Sequence, residues 1–120
     1  MNHNHSIFVV DDDPATRSMV RTILEANGYQ VEEAAGGREA LERLRSYTPS
    51  LILLDIMMPE VSGYDVVVHL KQKLETQNIP IIMISAKGAN EDLITGYKDY
   101  GVEYYITKPF TTRQLLAGVK

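Results

Sequence analysis

The stretch Leu51-Ile52-Leu53-Leu54-Asp55-Ile56-Met57-Met58-Pro59 decides how this chain folds. Four consecutive apolar residues are too few for a helix and show no polar alternation. They read as a strand covered on both faces, the habit of a parallel sheet. Burying an ionisable group in such a layer is costly, so Asp55, at its end and just before a proline turn, is expected to face a solvated cleft. A second run, Ile7-Phe8-Val9-Val10, ends the same way in Asp11-Asp12-Asp13, and a third, over residues 104–107, is followed by Lys108. Two strand ends with carboxylates and one with an amine predict a single charged site at the edge of an apolar sheet.

Outward from these runs, strands alternate with amphipathic segments. After the strand at residues 7–10, Pro14 suits the first turn of a helix that runs through Asn27 and closes at Gly28. Met19, Val20, Ile23 and Leu24 would form its core face. A strand over residues 30–34 leads through Gly36-Gly37 into a helix to about Ser46, with Ala40, Leu41 and Leu44 inward. After the strand at 51–54, a helix over 64–75 would bury Val67, Leu70 and Leu74. A strand at 81–84, a helix over 91–100, the strand at 104–107 and a last helix over 111–120 complete the pattern. The fold class is α/β, a five-stranded parallel sheet of order 2-1-3-4-5 with helices on both faces (flavodoxin-like). Right-handed crossovers place every strand C-terminus on one edge, where ligands of open α/β sheets bind. The domain is expected to span residues 7–120, after a frayed tail at 1–6, and its last helix is short enough to suggest truncation.

Composition narrows the function. The 120 residues carry a net charge of −4, 44% hydrophobic and 23% charged residues, which suits one globular domain with its own core. No basic footprint for nucleic acid is present. The absence of cysteine excludes disulfides and thiolate chemistry and is compatible with a cytoplasmic location. No run approaches a membrane span, and the polar start Met1-Asn2-His3-Asn4-His5-Ser6 is not a signal peptide.

On the predicted sheet Asp11, Asp12 and Asp55 come to one edge, with Ser85 and Lys108 after the fourth and fifth strands. Clustered carboxylates repel, and a divalent cation relieves them; all-oxygen ligation indicates a hard ion, Mg²⁺ or Mn²⁺. Such an ion would neutralise an incoming phosphoryl group and position it against a carboxylate nucleophile, while Lys108 and the Ser85 hydroxyl contact its oxygens.

The ordered set Val9-Val10-Asp11-Asp12-Asp13-Pro14, Asp55 with Met58-Pro59 and Gly63, Ser85-Ala86, and Lys108-Pro109-Phe110 resembles the receiver domain of two-component response regulators, the chemotaxis-regulator-like superfamily. The resemblance covers nearly the whole chain. It implies a phosphorylatable switch in which Asp55 accepts a phosphoryl group from a histidine kinase or a histidine phosphotransfer protein. It further implies that Asp11, Asp12, Asp55 and the Met57 backbone carbonyl hold Mg²⁺, Asp12 directly and Asp11 through water, with Asp13 setting up the helix start. Ser85, the Ala86 backbone N–H and Lys108 would bind the phosphoryl group. Ser85 and Tyr105 match the switch pair, which alters the face around the fourth helix, fifth strand and last helix. Pro109 matches the cis-proline position. An effector domain beyond Lys120 and a dimer formed on phosphorylation are partners the resemblance allows; neither DNA nor a membrane is expected to meet this domain directly. Leu93 and Tyr104 stand where DNA-binding relatives that dimerise through this face carry charges, and Lys87 occupies a variable position beside the site.

Two other function classes fit less well. A phosphatase with an aspartate nucleophile would place a second acid two residues on, where this chain has Met57. A flavin or nucleotide binder would place a glycine- or hydroxyl-rich phosphate loop after the first strand, where this chain has three aspartates.

Overall fold

The computed structural model describes residues 6–55, 63–86, 104–108 and 111–119. In chain order these form β1 (Ser6–Val10), α1 (Pro14–Ala26), β2 (Gln30–Ala34), α2 (Gly37–Arg43), β3 (Leu51–Asp55), α3 (Gly63–Lys71), β4 (Ile81–Ala86), β5 (Tyr104–Lys108) and α4 (Thr112–Val119). The strands make one sheet in the order β2-β1-β3-β4-β5, and each neighbouring pair is parallel. The tail expected at 1–6 is corrected at its last residue: Ser6 is the first residue of β1, paired in register with Gln30 of β2. Residues 1–5, Met57, Lys87, the helix expected over 91–100 and Pro109 lie outside the described residues.

The two-residue period of a strand explains why the runs are apolar throughout. Phe8, Val10, Ile52, Leu54, Ile81 and Met83 pack on one face against Ala40 and Leu44 and against Val66, Val67 and Leu70 of α3. Ile7, Val9, Leu53, Ile82, Ile84 and Ile106 pack on the other face against Val20 and Leu24 of α1 and Leu115 of α4. Residues 7–10, 52–55 and 81–84 are buried on both faces, so no polar alternation appears in these runs.

Helix ends account for where the segments stop. Asp13 caps α1: its carboxylate accepts from the Ala15 N–H at 3.1 Å and from the Thr16 hydroxyl at 2.7 Å, and Pro14 fills the first turn. At the other end Gly28 adopts φ +89°, and the Gly28 and Tyr29 N–H groups donate to the carbonyls of Glu25 and Leu24. That is a Schellman closure, which uses the left-handed conformation glycine tolerates.

Two core expectations are corrected. Met19 is 44% exposed, because the inward stripe of α1 is centred on Val20 and Leu24 with Ile23 partly buried beside them. Leu74 is 83% exposed. The helix expected to reach residue 75 ends at Lys71, where the buried Thr76 hydroxyl donates to the Leu70 carbonyl at 2.6 Å and Lys71 Nζ to the Gln77 carbonyl at 3.0 Å. The chain turns at that point, and Leu74 leaves the stripe that Val66, Val67 and Leu70 follow.

Candidate functional site

Register brings the acidic strand ends together. Val10 of β1 lies opposite Leu54 of β3, so Asp11 and Asp55 are the next residues on two hydrogen-bonded neighbours. One ligand oxygen from each of Asp11, Asp12 and Asp55 falls within 4.8 Å of the others. Asp11 is fully buried and Asp55 is 3% exposed, whereas Asp12 is open to solvent. The expectation that Asp55 faces a solvated cleft is therefore corrected: its carboxylate is buried at the sheet edge beside those of Asp11 and Asp12, a placement a bound cation would relieve.

The loop between β1 and α1 is fixed by hydrogen bonds on every side of Asp11. Its N–H donates to the Ala34 carbonyl of β2 at 3.2 Å. Its Oδ1 accepts from the Asp13 N–H at 2.9 Å, and its Oδ2 is itself buried. Its backbone carbonyl accepts from Arg17 Nη1 at 2.7 Å. Arg17 Nε donates in turn to Glu33 Oε1 at 3.1 Å, and Arg21 Nη1 donates to Glu33 Oε2 at 2.7 Å. Arg21 holds the Glu33 carboxyl below its usual range, with Arg17 adding to the effect and partial burial opposing it. The same pairing, with Glu33 foremost and Glu25 next, raises the Arg21 guanidinium. Arg17 and Glu33 had no signal in the sequence, because their pairing joins a helix to a strand sixteen positions away.

The remaining expected residues are placed by strand register. Asp55 lies opposite Ile84, immediately before Ser85, and Ala86 lies opposite Lys108 at the end of β5, with Tyr105 opposite Met83. The C-terminal edge thus gathers Asp11, just past β1, with Asp55, Ser85, Ala86 and Lys108 on β3, β4 and β5, while Tyr105 sits further back on β5. Asp13, exposed and committed to capping α1, is a helix-starting residue as expected.

The donor set fits a hard divalent cation. It offers three carboxylates, two of them buried, in reach of one ion, and among the described residues no histidine joins the cluster.

Residues 7–120 match the family of the response regulator receiver domain. The chain is 42% identical over 114 residues to the phosphate regulon transcriptional regulatory protein PhoB of Escherichia coli K12, covering 95% of this chain and 49% of that protein. It is 39% identical to the DNA-binding dual master transcriptional regulator RpaA of Synechocystis, covering 95% of this chain and 47% of that one. Among solved structures, the Vibrio cholerae chemotaxis protein CheY4 superposes with a TM-score of 0.88 at 30% identity, over 95% of this chain and 94% of that chain. The chain spans about half the length of the curated relatives it matches.

Proposed function

The chain belongs to the response regulator receiver domain family, whose members are phosphorylatable signalling switches that bind Mg²⁺ at acidic residues, and on that premise we propose that Asp55 is its phosphoacceptor. The observation that carries this reading is the approach of the Asp11, Asp12 and Asp55 carboxylates to within 4.8 Å at the ends of two adjacent strands. Asp11, Asp12 and Asp55, with the Met57 carbonyl that the family pattern adds, would hold Mg²⁺, or Mn²⁺ in its place. When bound there, such an ion would supply positive charge to the transferring phosphoryl oxygens.

The protein's own groups then do the following. A carboxylate oxygen of Asp55 attacks phosphorus; the P–N bond of a donor phosphohistidine breaks as the P–O bond of the aspartyl phosphate forms, and the imidazole leaves with the bonding pair. Lys108, at the register position opposite Ala86, pairs with a phosphoryl oxygen, and the Ser85 hydroxyl and Ala86 N–H donate to others. Ser85 and Tyr105 convert the new anionic group into a changed surface around β5 and α4. In sequence, Pro109 matches the family's cis-proline position next to Lys108.

The donor is a histidine kinase or a histidine phosphotransfer protein, in a cytoplasmic two-component system. The names of PhoB and RpaA favour a transcriptional output, and the net charge of −4 assigns any DNA contact to a region outside this domain. A dimer formed on phosphorylation would relay the change. Among the described residues no helix is long and apolar enough to cross a membrane.

The test is incubation with phosphoramidate and Mg²⁺ followed by intact-mass measurement. The wild type should gain one phosphoryl group that is acid-stable and base-labile, and Asp55→Asn should gain none. Equal labelling of the variant, or labelling that ignores Mg²⁺ removal by EDTA, contradicts the reading.

A further inference from the structure

We propose that Arg17 is a positioning residue for the metal site: its guanidinium sets the orientation of the peptide that joins Asp11 to Asp12 and so tunes cation affinity without touching the cation. This inference rests on the reading that the three carboxylates bind Mg²⁺.

The peptide units on either side of Asp11 are held by different elements. The preceding one is fixed through the Asp11 N–H by the carbonyl of Ala34 on β2, at 3.2 Å. The following one is fixed through the Asp11 carbonyl by Arg17 Nη1 of α1, at 2.7 Å. The second peptide also carries the Asp12 N–H, so its plane decides the direction in which the Asp12 Cα and side chain leave the loop. Asp12 is the exposed member of the cluster. An exposed carboxylate has no packing to fix its direction, so its placement near the buried Asp11 and Asp55 depends on its backbone.

Arg17 is suited to this task by its own anchoring. Its side chain is 18% exposed, and its Nε is engaged by Glu33 Oε1 at 3.1 Å while Nη1 reaches the Asp11 carbonyl. Glu33 is itself gripped on its other oxygen by Arg21, which also bonds Glu25 within α1. A planar fork presents two donors in fixed, different directions, one to the carboxylate and one to the carbonyl. An ammonium on a flexible stem cannot hold both in that geometry. The charge of Arg17 is matched by Glu33, so the guanidinium stays on the backbone carbonyl instead of moving onto the nearby carboxylates.

The experiment is an amide NMR titration of the metal-free protein with MgCl₂, run beside thermal melts in EDTA. Arg17→Lys keeps the charge and removes the fork; Mg²⁺ affinity should fall roughly tenfold, the usual scale for losing a group that orients a metal ligand. Arg17→Gln, which retains one donor and drops the charge, should also weaken binding. Arg43→Lys is the control: Arg43 pairs with Glu32, so it too ties a helix to β2, but from α2, on the sheet face opposite α1. It should bind Mg²⁺ as the wild type does. A purely structural role for Arg17 would lower the melting temperature and leave affinity untouched, and that result overturns the proposal. So does an equal loss of affinity in Arg17→Lys and Arg43→Lys. A wild type that does not bind Mg²⁺, or an Asp12→Asn variant that binds it equally well, refutes the carboxylate site itself and the proposal with it. Wild-type affinity lost in Asp12→Asn but kept in Arg17→Lys overturns only the role of Arg17.

Discussion

Neutralising Asp12 should make the metal-free protein more stable while removing much of its response to magnesium. Its carboxylate lies within 4.8 Å of an oxygen of both Asp11 and Asp55. Because Asp12 is exposed, a water-like dielectric applies, and each such pair of unit charges repels by about 0.9 kcal/mol. Two pairs amount to roughly 2 kcal/mol, and Asp12→Asn relieves both while keeping the side-chain shape. For a domain of this size that energy corresponds to a rise in melting temperature of about 7 °C in EDTA. The wild type should recover the difference when magnesium is added, since a ligand at a hundred times its Kd stabilises by about 2.7 kcal/mol. In Asp12→Asn that increment should shrink, because one anionic ligand is gone. The assay is thermal unfolding followed by circular dichroism, in EDTA and in saturating MgCl₂. An unchanged or lower melting temperature in EDTA, or an undiminished magnesium increment, refutes the reasoning.

Three further outcomes are expected. Leu70→Ala should destabilise by about 2–5 kcal/mol in denaturant unfolding, whereas Leu74→Ala, at an exposed position, should stay within about 0.5 kcal/mol; similar losses would place the end of α3 wrongly. His69 is held below its ordinary pKa by burial and by the charges of Lys73 and Arg45, so the unfolded chain binds more protons there. Its favourable contribution is complete above the unfolded value and is lost as pH falls through the folded one, so His69→Gln should flatten the decline of stability below about pH 6.5, as read by denaturant midpoints. Lys108→Ala should still take up phosphate at a reduced level while the amide shift changes along β4 and β5 weaken; a wild-type response would remove Lys108 from the mechanism.

Most of the fold was legible because its strands are covered on both faces and therefore stand out as unbroken apolar runs. Residues 51–54 had no other way to fold beside amphipathic neighbours, and Asp13-Pro14 and Gly28 marked the ends of α1 by their own chemistry. The acidic part of the site was legible for the same reason: Asp11 and Asp55 follow directly on paired runs in register. What sequence could not supply were interactions made across elements. The Thr76 hydroxyl that ends α3 early acts on Leu70, six residues back, after the chain has turned, so a continued helical stripe wrongly claimed Leu74. Arg17 and Glu33 look like ordinary surface charges until β2 is laid beside α1. The burial of Asp55 is not legible in sequence, because the apolar run marks where the strand ends and not how the neighbouring strand ends cover it.

The central claim is that the carboxylate of residue 55 carries the phosphoryl group. The most direct measurement is reductive trapping of the phosphorylated protein with borohydride, which converts an aspartyl phosphate to homoserine, followed by peptide mass spectrometry. Homoserine at position 55 alone is the predicted result. Homoserine at 11, 12 or 13 with residue 55 unmodified would contradict the account.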